Sequence, residues 1–193
     1  PEIVFLAEAF TRPPMMHALG KVGFHQSYTY FTWRTSKQEL ISYGNEVANE
    51  TSAFFRPNFW VNTPDILPFH LQTGIPAMFA LRAVLASTLS PSWGMYAGYE
   101  LFEHESLREG GEEYKDSEKY QIRIRDWKGA VEKGHSLAPF IGTLNQIRKE
   151  HPALQRLRNL VFHNTGSDAI IAYSKRERTD LILVVVNLDP TNP

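Results

Sequence analysis

Two carboxylates pose the chemical question. Glu8 follows the apolar run Ile3-Val4-Phe5-Leu6, and Asp65 follows the run Phe59-Trp60-Val61. A continuous apolar run of this kind reads as a strand buried on both faces, as in a parallel sheet. A charged residue at the C-terminal end of such a strand is out of place in a core, but in a barrel of parallel strands that end is where chemistry is done. Glu100 closes a third strand-like stretch, Trp93 to Tyr99, and Asn62 adds a carboxamide beside Asp65. Carboxylates gathered on one rim can divide acid, base and charge-stabilising work. Taken alone, the pattern around Glu8 better fits a solvated residue at a strand exit. The convergence of several strand ends is what points to a site.

Composition removes several classes. The chain has 193 residues, a formal net charge of −1 and no cysteine. There is no broad basic field for nucleic acid, and no thiolate metal site, thiol nucleophile or disulfide. The histidines lack metal-binding spacing, so no metal and no cofactor is expected. No run spans a membrane and no signal peptide is visible, which fits a cytoplasmic protein. The chain opens on Pro1 with a strand at once and closes on Pro193 after a β-forming run. Both ends read as cuts through a larger protein.

The elements that must position these groups alternate. A short helix over Met15–Leu19, with Pro14 at its first position, follows the first strand. A second strand is expected over Gln26–Phe31. Ser36 and Glu39 form a capping-box pattern that opens a helix from Lys37 to Ala48. After the Phe59–Val61 strand, Pro64 turns the chain out. A helix apolar on more than one face runs from Pro76 to Leu89. His104–Trp127 is a charged loop, and Ser136 opens a helix to Glu150. Strand and helix in alternation argue for βαβ units, a parallel sheet and strand ends gathered on one face. From Leu160 the pattern changes to Leu160–Phe162, Ala169–Tyr173 and Leu181–Val186, with turns at Gly166–Asp168 and Arg176–Asp180. These read as antiparallel hairpins whose apolar run needs a partner sheet outside the chain.

The motifs FLAEAFTRP and FWVNTPDI resemble the fifth- and seventh-strand motifs of the α-amylase superfamily, glycoside hydrolase family thirteen. The superfamily's Asn-His-Asp is replaced here by Asn62-Thr63-Pro64-Asp65, which argues against an ordinary amylase. AEAFTRPPMMHALGKVGFHQSYTYFTWR, NFWVNTPDIL and SEKYQIRIRDW, with the closing IIAYSKR and VVVNLDP, are similar to the α-1,4-glucan:maltose-1-phosphate maltosyltransferases over essentially the whole chain. The resemblance implies an α/β fold: the C-terminal half of a (β/α)8 TIM barrel, strands five to eight, over 1–158. The beginning of an all-β antiparallel domain would follow over 159–193. It implies that Glu8 is the general acid/base and Asp65 the transition-state stabiliser. The nucleophilic Asp, on strand four, and most phosphate-binding groups would lie outside this chain, leaving it inactive by itself.

Lys119 and Tyr120 match a segment that contacts the far sugar of the donor, although two solvated loop residues would look the same. Asn62, grouped with Lys119 and Tyr120 as substrate-binding, either bonds a site carboxylate or ties down its turn. Glu100 supports the rim, and Arg12 pairs with a phosphate or with a structural carboxylate. The implied partners are α-maltose 1-phosphate as donor and an α-1,4-glucan as acceptor, with a homodimer in the full-length protein. A related α-glucan hydrolase, a trehalose-forming isomerase and a non-catalytic carbohydrate-binding piece are the alternatives.

Overall fold

The computed structural model describes residues 2–119 and 121–192. Its centre is a parallel sheet in the order β1 (Leu6–Ala7), β2 (Gln26–Tyr28), β3 (Pro57–Trp60) and β4 (Trp93–Gly94). Helices fill the crossovers: α1 (Pro13–Lys21), α2 (Lys37–Asn45) and α3 (Pro76–Leu89). The alternation expected from sequence is therefore present, but β1, β2 and β4 are shorter than the runs expected to form them.

The first run shows the difference most clearly. Ile3, Val4, Phe5 and Leu6 are 65%, 64%, 54% and 55% exposed, and only Ala7 is buried. β1 lies at the end of the sheet, paired with β2 alone among the described strands. A strand is buried on both faces only when both are covered, and sequence composition cannot supply the cover. The expectation of a doubly buried strand over Ile3–Leu6 is corrected accordingly. β4 is likewise cut to Trp93–Gly94, so Glu100 does not end a strand; it lies in a 3-10 turn, Tyr99–Leu101.

Local rules hold where one residue dictates geometry. Ser36 Oγ accepts from Glu39 N at 3.3 Å, and Ser36 N donates back to Glu39 Oε2 at 3.0 Å, closing the capping box of α2. The helix then loosens into a π turn, Glu46–Glu50, with Thr51 N reaching Glu46 O at 3.1 Å. α1 and α3 start on Pro13 and Pro76, where the missing N–H costs nothing.

α3 is the buried helix of the fold, with Phe79, Ala83, Leu85, Ala86 and Leu89 all inside. Its Arg82 is buried too. The guanidinium donates to Phe31 O at 2.7 Å and Arg34 O at 2.6 Å and lies 4.1 Å above the Phe31 ring. Those bonds pin α3 to the turn that follows β2.

After β4 a long irregular segment leads to two further helices. The short α4 (Trp127–Glu132) has no forecast in the sequence pattern, while α5 (Ala138–Glu150) does. The last residues form an antiparallel sheet, β5 (Leu160–His163), β6 (Ile170–Glu177) and β7 (Asp180–Asn187). The turn expected over Arg176–Asp180 shrinks to Arg178-Thr179, because Glu177 pairs with Asp180. Arg178 takes φ 56° to close it.

Ile171, Tyr173, Val184 and Val186 point from this sheet into the same apolar core as α3. Leu181, Leu183 and Val185, one residue out of phase, are exposed. One face is thus covered within the chain, contrary to the expectation that the whole run lacks a partner. Tyr173 Oη meets Thr88 Oγ1 at 2.6 Å, and the buried Lys175 Nζ donates to Leu89 O at 3.4 Å. Arg148 of α5 adds bonds to Ser87 O, Ser90 O and Pro91 O. Two cations therefore meet the carbonyl end of α3, where the helix dipole is negative.

Candidate active site

The site is built from residues just past the C-terminal ends of the parallel strands. The register pairs Ala7 with Ser27 and Tyr28 with Asn58, so Glu8 stands beside Tyr28 one step further along β1. The Tyr28 phenol is raised above its ordinary pKa by burial, and further by the negative charges of Glu8 and Asp65. Its hydroxyl therefore feels both carboxylates, and it stays a neutral donor at neutral pH. The strand order, with β1 and β3 parallel on either side of β2, is what brings the ends of β1 and β3 to one edge.

Asp65 sits at the tip of a tight loop. Thr63 and Ile66 exchange backbone bonds of 3.0 and 3.2 Å, and Asp65 N donates to Thr63 Oγ1 at 3.2 Å. Pro64 within this loop keeps the chain from extending β3. Lys119 reaches across to the tip, with Nζ 2.8 Å from Asp65 Oδ1 and 2.8 Å from Glu113 Oε1. Bonds to these two carboxylates hold its pKa well above the ordinary lysine value. Lys119 is thus placed at the rim beside Asp65. Tyr120 lies outside the described residues.

Glu8 itself is exposed. The described residues form no apolar enclosure around it.

Asn62 does not open on the rim. It is fully buried; its Oδ1 accepts from Tyr96 N at 2.8 Å, and its Nδ2 donates to Tyr114 Oη at 2.6 Å and Tyr96 O at 3.4 Å. Of the two readings open for it, these bonds support the tie: the carboxamide fastens the end of β3 to the chain after β4 and to the long loop. A direct sugar contact, expected with the substrate-binding group, has no free atom to make it. Glu100 Oε2 accepts from Gly98 N at 3.1 Å, a local cap inside its own turn. Arg12 is exposed and precedes α1, its carbonyl accepting from Met15 N and Met16 N.

Sequence reasoning missed the aromatic floor. Tyr28 packs on Trp60 at 4.8 Å and on Phe10 at 5.8 Å, and Phe10 meets Trp33 at 5.0 Å. Trp33 Nε1 donates to both Glu112 oxygens at 3.1 Å. Apolar faces with polar edges suit sugar rings. The available signal was the aromatic density of QSYTYFTW, across β2 and the turn after it, which strand propensity alone explains as well. Also missed was the carboxylate pair on Lys119, since Glu113 and Asp65 are remote in sequence.

Among the described residues no group of three or more His, Asp or Glu is arranged to hold a metal. No helix among them is long and apolar enough to cross a membrane. What the arrangement can do is hold two carboxylates and a cation around a polar ligand on an aromatic base.

Residues 162–193 match the family model described as "GLGE, C-terminal". Over 190 residues the chain is 61% identical to alpha-1,4-glucan:maltose-1-phosphate maltosyltransferase 2 of Streptomyces coelicolor, covering 98% of this chain and 28% of that protein. It is 56% identical over 195 residues to the maltosyltransferase of Mycobacterium tuberculosis H37Rv, covering 100% and 28%. Among solved structures it resembles the alpha-amylase from H.orenii, with TM-score 0.69 and 12% identity over 96% of this chain and 43% of that one. The trehalulose synthase of Pseudomonas mesoacidophila MX-45 matches with TM-score 0.71 and 14% identity over 97% and 47%. These structural likenesses show a fold shared with part of the α-amylase-type enzymes. The chain spans 28% of the length of its first-named relative. By sequence it is similar to a stretch of the named α-1,4-glucan:maltose-1-phosphate maltosyltransferases, over nearly all of its own length.

Proposed function

We propose that the protein containing this chain transfers maltosyl units from α-maltose 1-phosphate to the non-reducing end of α-1,4-glucans and releases phosphate. The observation that carries the reading is the position of Glu8 and Asp65 past the C-terminal ends of β1 and β3, which flank β2 in one parallel sheet. It stands in a chain 61% identical to a protein named for that transfer. In this reading 1–158 is the C-terminal half of a (β/α)8 barrel, β1 to β4 being its strands five to eight, and 159–193 begins a β domain.

Retaining transfer needs two carboxylates about 5–5.5 Å apart across the anomeric carbon. Glu8 is the general acid/base: it protonates the leaving phosphate oxygen, then takes the proton of the acceptor hydroxyl. Asp65 holds ring hydroxyls of the donor and balances the oxocarbenium-like charge. Lys119, with Tyr120, binds the far glucose of the donor. Asn62 fixes the loops that present Asp65 and Lys119. In this reading the nucleophile is an Asp on the fourth barrel strand, outside this sequence. The 193-residue chain alone is accordingly inactive. The same reading makes the full-length protein a cytoplasmic homodimer that needs no metal or cofactor.

The test uses the full-length protein with α-maltose 1-phosphate and a malto-oligosaccharide. Extension in steps of two glucose units with stoichiometric phosphate is expected; free maltose as the only product would assign a hydrolase instead. Glu8→Gln should lower transfer by about a thousandfold while glucan binding survives, in the range for loss of a general acid/base. Unchanged turnover would remove Glu8 from the mechanism.

A further inference from the structure

We infer that Arg125 is a positioning residue for donor binding, acting through Glu118 on Lys119. The inference rests on the reading of Lys119 as a donor-binding group.

Lys119 is carried on an irregular segment with no helix or strand to stiffen it. A lysine has four rotatable carbons and a point charge, so its reach is defined only if its backbone is fixed. The neighbouring Glu118 does the fixing. Its backbone N–H donates to Tyr96 Oη at 3.1 Å, and Tyr96 Oη donates to Glu118 Oε2 at 2.9 Å. Tyr96 is itself tied to the end of β3 through Asn62. The clamp thus connects the segment to the framework that also presents Asp65.

Arg125 closes the clamp from behind. Its side chain is 4% exposed and makes a forked pair with Glu103, Nε to Oε1 at 2.8 Å and Nη2 to Oε2 at 3.1 Å. Nη1 donates to the same Glu118 Oε2 at 3.0 Å. The guanidinium also lies 5.8 Å from the Tyr96 ring centre and 5.7 Å from that of Trp127. Space for the fork is reserved in the backbone. Gly98, at φ +99°, lies so close to the Glu103 carboxylate that a Cβ there would overlap it. One cation therefore joins the turn after β4 to the lysine-bearing segment. Planar, forked recognition is a property of arginine that lysine lacks.

Residues 118 and 119 move together, so loosening Glu118 spreads Lys119 over positions from which it cannot reach donor and Asp65 together. The loss should fall on donor binding, seen as a raised KM at nearly constant kcat. In the full-length protein, Arg125→Gln should lower kcat/KM for α-maltose 1-phosphate by about ten- to a hundredfold, the usual range for a misplaced binding group. Arg125→Lys, which keeps the charge and loses the fork, should fall between Gln and the parent.

The deciding measurement is a double-mutant cycle with Lys119→Ala. If Arg125 acts through Lys119, adding Arg125→Gln to Lys119→Ala costs little more. Fully multiplicative losses, or an Arg125→Gln variant with parental kcat/KM, would overturn the proposal. Should Arg125→Gln fail to fold, Glu118→Gln, which keeps an acceptor for Tyr96 and loses the ion pair, enters the same cycle. A parent protein that releases no phosphate from the donor overturns the reading of the reaction, and this proposal with it. An active parent with a multiplicative cycle overturns this proposal alone.

Discussion

Gly94→Ala tests whether the aromatic floor positions the rim. Gly94 pairs with Trp60 across β3 and β4, and a Cβ built on it would lie 2.8 Å from Trp60 Cδ2 and Cε2 and 2.9 Å from Cε3. Carbon contacts settle near 3.5–4.0 Å, so the indole must retreat by roughly 0.7–1 Å. It does not retreat alone, because Trp60 packs on Tyr28 at 4.8 Å, and Tyr28 lies on β2 between the strands that lead to Glu8 and Asp65. Overpacking of this kind costs about 1–3 kcal/mol. A rim displaced by about 1 Å loses up to about a hundredfold in rate. The expected variant is therefore folded, melts several degrees lower and transfers maltosyl units poorly. Gly142→Ala is the control: Gly142 is exposed within α5 with nothing near its Cβ position, so alanine should stabilise by about 0.5–1 kcal/mol and leave transfer unchanged. Thermal melting and phosphate release on the full-length protein read both. A Gly94→Ala protein that is destabilised yet fully active would refute the link from Trp60 through Tyr28 to the rim. Parental melting would refute the close contact itself.

Two further substitutions read the framework. Lys175 is fully buried, and burial, then the Arg148 charge, lower its pKa to about 7. Between that value and the unfolded value of about 10.4, the unfolded chain binds more protons, so stability rises with pH across this window. Below it the penalty is complete and constant. Lys175→Met should therefore stabilise more at about pH 6 than at about pH 9, by about 2–3 kcal/mol at 1.4 kcal/mol per pKa unit. Denaturant unfolding at the two pH values measures the difference, and an equal gain at both would contradict the assigned titration. Ser36→Ala should cost about 1 kcal/mol by opening the capping box. Faster amide exchange in the first turn of α2 would report it, and unchanged exchange would show that tertiary packing alone holds that turn.

Much of the fold was legible because single residues or short periods dictate it. Ser36 with Glu39 marks the start of α2 whatever surrounds it. The Pro76–Leu89 run is too apolar all round to lie on a surface. The step from helical to hairpin spacing near Leu160 separates the parallel sheet from the antiparallel one. Strand lengths were less legible. Ile3–Leu6 has the composition of a buried strand, yet burial depends on a neighbour that the run itself cannot specify. The stretch before Glu100 departs in the same way: β4 stops at Gly94, and left-handed Gly98 and Phe102 bracket the 3-10 turn that holds Glu100.

The sequence by itself determined the chemical inventory: Glu8 and Asp65 behind apolar runs, a lysine within SEKY, no thiol, and motifs that resemble one family. Those are properties of residue type and order. Only the tertiary structure decided which groups meet. Lys119 bridges Asp65 and Glu113, Tyr28 lies under the influence of two carboxylates, Asn62 is spent on tying loops together, and Arg125 fastens the lysine-bearing segment. Such contacts join positions from different crossovers. Whether a polar side chain faces a ligand or closes a network is set by the three-dimensional register of the elements that carry it, which local pattern does not encode.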